Sequence, residues 1–235
     1  MNSSSLEAVF ANGISQSRSI RYRESIYAAI KEAILSGKLL PNQPLVEEQL
    51  AASLNVSRTP VREALTILAH ENFIGPQGGR GLYVRSLSRQ EFVDIFVANE
   101  AVEPYLARRA ALLASEEQLA DIAEALDRGD ACAAALDTAG FLRASRDFHG
   151  RVGTAAGNTP LAGFVLSNEE RTDMYLLNYG KVVNGEQMEI SNNEHRAILG
   201  ALKNRDPEAA QRLAIVHAQS LRERFAELFQ PLAEE

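Results

Sequence analysis

The stretch Gln49–Leu68, QLAASLNVSRTPVREALTIL, decides how the rest of the chain is read. Leu50, Leu54, Val56, Val61 and Leu65 recur at helical spacing and make one apolar seam shared by two short helices. Ala51 is small where two crossing helices must approach closely. Asn55 falls at the tight turn between them, where a positive φ is wanted and Asn is the best tolerated residue after Gly. Ser57 stands where it can cap the second helix. Pro60 falls in that helix's first turn, where a missing N–H costs nothing. The pattern predicts a helix-turn-helix, with helices near 46–53 and 57–71.

With the second helix so placed, Arg58 and Arg62 lie one turn apart on its outward, N-terminal side. A helix N-terminus favours phosphate, and two guanidinium forks can reach guanine edges in a major groove. Ser57 and Thr59 can add phosphate or base contacts. The plain alternative is a surface helix with two solvated arginines. The turn pattern and the Gly-rich segment that follows weigh against it. Glu63 is expected to support a neighbouring arginine or the helix start, and His70 to be structural or solvated.

Outward from this motif the chain divides. Upstream, Ile26, Ala29, Ile30, Ala33 and Ile34 predict a helix over about 21–36, stopped by Gly37; the first 17 residues, Ser-rich and acidic, read as a disordered tail. Downstream, Phe73-Ile74 and Leu82–Val84 flank Gly78-Gly79-Arg80-Gly81, a small hairpin with a basic tip. Ser86–Ser88 reads as a linker. Beyond it the period is helical throughout, with helices expected near 89–113, 116–127, 130–156, 160–178, 188–203 and 207–229. Gly129, the Gly157–Pro160 run, Gly180 and Asp206-Pro207 punctuate them. The fold class is mainly α: a winged helix-turn-helix over 18–86, then an all-helical effector-binding and dimerisation domain over 87–235.

Charge follows the same division. Residues 1–86 hold 9 Lys/Arg and 7 Asp/Glu, and the remainder 15 and 24, so a slightly basic front precedes an acidic back. That asymmetry suits a DNA reader joined to a domain with a different partner. No apolar run is long enough for a membrane span. Cys132 is the single cysteine, which excludes an intrachain disulfide and points to a cytoplasmic protein. Among alanines, it reads as small core filler.

Three of the four histidines fall on the apolar stripes of three predicted helices. His149 follows Leu142 and Ser145, His195 precedes Ile198 and Leu199, and His217 lies with Leu213, Ala214 and Leu221. An inward imidazole needs a partner. Each is therefore either a hydrogen-bonded core residue, or all three converge on one transition-metal ion. Arg171 and Tyr175, one turn apart, read either as pocket residues or as an interhelical pair.

The segment from Ile30 to Val84 resembles the winged helix of the GntR family, whose most recognisable string stands here as Ser57–Leu65, SRTPVREAL. VANEAVEPYLARRAA, DFHGRVGTAAGNTPL and EHRAILGALKNRDPEAAQRLAIVH are similar to the FCD domain of the FadR-type subgroup. The resemblance implies Arg58 and Arg62 as base readers and a wing around Gly79 and Arg80 in the minor groove. It also implies a homodimer on pseudo-palindromic double-stranded operator DNA, a small organic acid or related metabolite as effector, and repression as the output. A base-reading Arg found in some members is replaced here by Glu48. In metal-binding members an Asp one turn before the first His completes a site for zinc or a similar divalent ion. His149, His195 and His217 match the histidine places, but the Asp place holds Ser145. Asp147, two residues from His149, should face away from it. The Arg that receives an effector carboxylate in many members is Asn99 here, four residues before Glu103-Pro104.

An architectural DNA protein with a purely structural bundle is a second reading, and a metal-dependent hydrolase a third. The hydrolase reading lacks a general base at a fixed offset and leaves the DNA-reading half without a purpose.

Overall fold

The computed structural model describes residues 22–179 and 183–226 and divides into two compact units after Ser86. The tail expected over 1–17 lies outside the described residues, as does the end of the helix expected to reach 229. No helix among the described residues is long and apolar enough to cross a membrane.

The first unit opens with α1 (22–35), which buries Ile26, Ile30 and Ile34, one turn apart along one face. Gly37, at φ 71°, ends it. Strand β1 (Pro44–Leu45), α2 (Glu47–Ser53) and α3 (Arg58–His70) follow, then the hairpin of β2 (Ile74–Gln77) and β3 (Arg80–Val84). The three strands are antiparallel in the order β1-β3-β2. Val61, Ala64, Leu65 and Leu68 form the wholly buried face of α3, and Asn55 takes the left-handed turn at φ 53°. Ser57 holds the cap position of α3, yet its side chain makes no capping hydrogen bond. The hydroxyl expected to cap the helix is left at an exposed helix start.

The second unit is a bundle of α4 (Arg89–Leu113), α5 (Glu116–Ala134), α6 (Thr138–Ala155), α7 (Thr159–Tyr179), α8 (Gly185–Lys203) and α9 (Pro207–Arg224). Its helix starts are chemically marked. Ser88 with Glu91 and Ser115 with Gln118 form reciprocal capping boxes, and Asp137, Asn184 and Asp206 each accept a first-turn N–H. Pro207 occupies the first turn of α9, where its missing N–H is harmless. One core gathers Leu106, Ile122, Phe148, Ile198 and Leu202. A second, around Phe92, Phe141, Tyr175 and Met188, lies where α4, α6, α7 and α8 meet.

One boundary differs from the sequence expectation. Gly129 was expected to separate two helices, but α5 runs through it and ends at Ala134. The chain turns instead at Leu136, at φ 54°, before Asp137 caps α6. Gly129 is a site of close approach: a Cβ there would meet Asn192 Oδ1 of α8 at 2.6 Å. Asn192 is itself fixed, donating to the Leu126 carbonyl at 2.9 Å and to Asp130 at 2.5 Å. The glycine is selected by packing, and the helix tolerates its cost of roughly 1 kcal/mol relative to Ala.

Gly129→Ala should therefore destabilise the protein despite its better helix propensity. Overpacking costs about 1–3 kcal/mol, so a net loss of roughly 1–2 kcal/mol is expected in urea unfolding monitored by circular dichroism. An unchanged or raised midpoint would show that the α5–α8 contact yields freely.

Candidate functional site

Two places carry chemistry, one in each unit. In the first, the N-terminal turn of α3 presents its polar residues outward. Ser57 and Thr59 are exposed, and the Arg58 and Arg62 side chains are each 62% exposed. Burial of the opposite face, through Val61 and Leu65, leaves the arginines no inward alternative. Glu47 of α2 holds its carboxylate 3.9 Å from Arg58 Nη2 and 3.7 Å from Arg62 Nε. Glu63, the carboxylate expected in that role, is exposed on the same helix. The partner comes from the first turn of α2, brought near by the turn at Asn55, so no spacing along the sequence identifies it. The hairpin tip is set by Gly78 and Gly79 at φ 60° and 75° and by Gly81 at φ 69°. Gly79 has open space where a Cβ would stand. Arg80 begins β3; its side chain lies outside the described residues. His70, at the end of α3, is exposed.

In the second unit, α6, α8 and α9 bring His149, His195 and His217 together, with one ring nitrogen from each within 4.8 Å of the others. His195 and His217 are almost wholly buried. The His195 ring stacks on Phe148, centroids 4.3 Å apart, and its Nε2 lies 3.1 Å from His217 Nε2. On the far side of His217, Nδ1 lies 2.7 Å from Glu194 Oε2. Arg224 also binds Glu194 and reaches Ser191 at 2.9 Å. Hydrogen bonds from His217, Ser220 and Arg224 outweigh burial and hold the Glu194 carboxyl at about 2. Glu194 is thus an ionised acceptor, which fixes the His217 proton on Nδ1 and turns the Nε2 lone pair toward His195. Burial, then the neighbouring imidazoles, pushes His195 well below the ordinary histidine range. Burial likewise lowers His217, against the Glu194 bond. Both rings are neutral at pH 7, the form in which imidazole is a ligand.

The donor set fits a divalent ion. Two nitrogens on one tetrahedral Zn²⁺, at roughly 2.0–2.1 Å each, stand about 3.4 Å apart, close to the 3.1 Å seen between His195 and His217. The carboxylate–imidazole pair of Glu194 and His217 is the outer arrangement that orients a metal-binding histidine. His195 Nδ1 is buried with no hydrogen-bond partner among the described residues. Asp147 does point elsewhere, bound to Arg128 and, at 3.0 Å, to Arg151. Besides Glu194, the cluster meets the carboxylate of Glu103 of α4, whose Oε2 lies 3.4 Å from His149 Nδ1. Burial pushes its pKa up to about 7, with His149 opposing and Glu169 reinforcing the shift. Sequence spacing could not reveal it, because it arrives from a different helix.

Beside the cluster lies a recess of about 800 Å³ of empty space, open solvent at its mouth included, which His149 and His217 help to line. Phe92, Phe96, Phe141 and Phe225 give it an aromatic wall. Asn99 and Ser145 line it. Arg171 and Tyr175 are not among its lining residues. Tyr175 is buried and stacks on Phe92 at 4.5 Å, which makes it part of the wall's backing. The pocket role expected for that pair is therefore corrected: the helical register puts Tyr175 into the core behind the aromatic side.

Comparison with known proteins gives these two places a context. Residues 22–84 match the bacterial regulatory proteins of the gntR family, and residues 94–220 match the FCD domain. A probable D-xylose utilization operon transcriptional repressor of Paenarthrobacter nicotinovorans is 30% identical over 195 residues, covering 78% of this chain and 79% of its own. The HTH-type transcriptional repressor RspR of Escherichia coli is 27% identical over 207 residues, covering 88% of this chain and 90% of its own. Among solved structures, Escherichia coli McbR/YncC superposes with a TM-score of 0.75 at 20% identity, covering 88% of this chain and 97% of its own. That likeness concerns the fold alone.

Proposed function

Because the chain belongs to the gntR family of bacterial regulatory proteins and carries an FCD domain, we propose that this DNA-binding transcriptional regulator is a homodimeric repressor controlled from the helical unit. The observation that carries the reading is the joint presence of an outward arginine pair on α3 and a buried, ligand-competent histidine centre beside a cavity. Arg58 and Arg62 read base edges in the major groove, Ser57 and Thr59 touch phosphate, and the wing at Gly79 and Arg80 reaches the minor groove. Two copies on a pseudo-palindrome double the short reading frame of one α3. Glu47 lies near both arginines in the free protein and gives them up when DNA arrives.

His149, His195 and His217 hold a divalent ion, zinc or one of similar preference, with Ser145 reaching it through water. Bound there, the ion supplies a Lewis-acidic centre to which effector oxygen or nitrogen atoms can bind. Asn99 and Ser145 contribute to the adjacent effector cavity. The protein's own part is to keep the rings neutral, to orient His217 through Glu194, and to close the centre from bulk water behind Phe148. Effector binding is transmitted through residues 86–88, which lead directly into the Ser88–Glu91 capping box that starts α4. The reading takes the centre as a ligand-binding site and not a catalytic one, since the family reads DNA.

Three outcomes test the reading. Arg58→Ala and Arg62→Ala should each lose roughly 1–3 kcal/mol on operator DNA and relax base preference, measured by fluorescence anisotropy on matched and mismatched sites. Parent-like operator affinity for Arg62→Ala would refute the assignment of α3. The double change His195→Ala with His217→Ala should abolish stoichiometric zinc in elemental analysis, whereas Glu194→Gln should weaken it roughly 10–100-fold. Equal zinc content in parent and double variant would make the histidines core residues. Sedimentation at micromolar concentration should give a dimer; a monomer with and without DNA would end the paired half-site reading.

A further inference from the structure

Four carboxylates, Glu100, Glu103, Glu169 and Asp173, line the cavity beside the histidines, and no Lys or Arg is among its described lining residues. Two of the four are paired with an arginine, and a third lies against a histidine. Glu100 binds Arg222, Asp173 binds the buried Arg146, and Glu103 lies against His149, where an ion on the histidine centre adds further positive charge. Glu169 differs. Among the described residues its carboxylate has one partner, the Asn99 amide, which donates to Oε1 at 2.8 Å. A single neutral hydrogen bond leaves most of a carboxylate's acceptor capacity unused.

Asn99 is already engaged on both sides. One N–H of its Nδ2 donates to Glu169, and its Oδ1 accepts from the buried Asn168 at 2.9 Å. It thus holds a negative group at the cavity wall. Gln187, on the same lining, has a buried amide oxygen with no donor. Four phenylalanines, with Leu142, Leu176, Val183 and Leu221, supply its apolar surface. Such a wall suits a flat apolar body, and a ring face also attracts a cation.

From this we infer that the cavity takes an amine with an apolar, aromatic-sized body, its ammonium group seated on Glu169, and not a carboxylate. The inference rests on the helical unit's role as effector domain and names the ligand's chemical class. An ammonium brings three N–H donors and a charge that Glu169 lacks. A carboxylate in the same place would meet Glu169 with like charge and find no guanidinium or ammonium to answer it.

The test uses the full-length, zinc-loaded protein and three matched probes: phenethylamine, 2-phenylethanol and phenylacetate. Their affinities are measured by calorimetry. Phenethylamine should bind at least tenfold tighter than phenylacetate, with the alcohol between them. Glu169→Gln keeps an acceptor for Asn99 and should lower amine affinity to that of the alcohol while leaving the alcohol unchanged. Circular dichroism confirms that this variant is folded. Phenylacetate binding as tightly as the amine, an amine preference that survives Glu169→Gln, or no amine binding at millimolar concentration would each overturn the inference. Operator affinity of the same preparation reports separately on the regulator reading, so failure of one is distinguishable from failure of the other.

Discussion

The constraint on which the helical unit depends is the cost of burying imidazoles. His195 and His217 are almost fully buried, and a polar ring in such a place is tolerated only if its nitrogens find partners. The sequence meets that demand in layers. Phe148 covers one face of His195. Glu194 accepts a hydrogen bond from His217 Nδ1–H, and Arg224 helps to keep Glu194 charged. One atom, His195 Nδ1, is left without a hydrogen-bond partner among the described residues. Helices α6, α8 and α9 must hold their register for these contacts to exist together. The Gly129–Asn192 approach, which fixes α5 against α8, helps to enforce it.

Around that centre the charges are arranged in pairs. Arg146 with Asp173 and Arg222 with Glu100 neutralise acids at the cavity. Buried ion pairs add little net stability, because desolvation offsets most of the attraction. What they accomplish here is selective. They silence some carboxylates and leave Glu169 as the one whose charge a ligand would feel. The family resemblance led to an expectation of a small organic acid, but the cavity's own atoms favour the opposite sign. Asn99, at the place where the family resemblance implies an Arg, brings no cation and supplies the amide that holds Glu169.

The DNA-reading unit follows a different economy. Its α3 is anchored by a wholly buried face, so its exposed residues are free of structural duty. Glu47 illustrates how little holds them: at 3.7–3.9 Å from two well-exposed arginines, it is a screened pair of the kind that contributes little to stability. The arginines are stored without being locked.

Much of this was legible in the sequence. The seam of Leu50, Leu54, Val61 and Leu65, the asparagine turn and the first-turn proline determined the helix-turn-helix, because each is a local requirement met by a local residue. The inward faces of His149, His195 and His217 were likewise fixed by helical period, as was the outward turn of Asp147. Distance along the chain, however, says nothing about which helices meet. That the three imidazoles come together at all could be read only once α6, α8 and α9 were seen to converge. Only tertiary structure could place Glu103 against His149, Glu47 beside Arg58, or Glu169 in the hands of Asn99, since each pair joins separate elements. Gly129 shows the same limit from the other side. Read locally, a glycine ends a helix. In the folded chain it continues one, because what it lacks is a Cβ, and a neighbouring helix occupies that space.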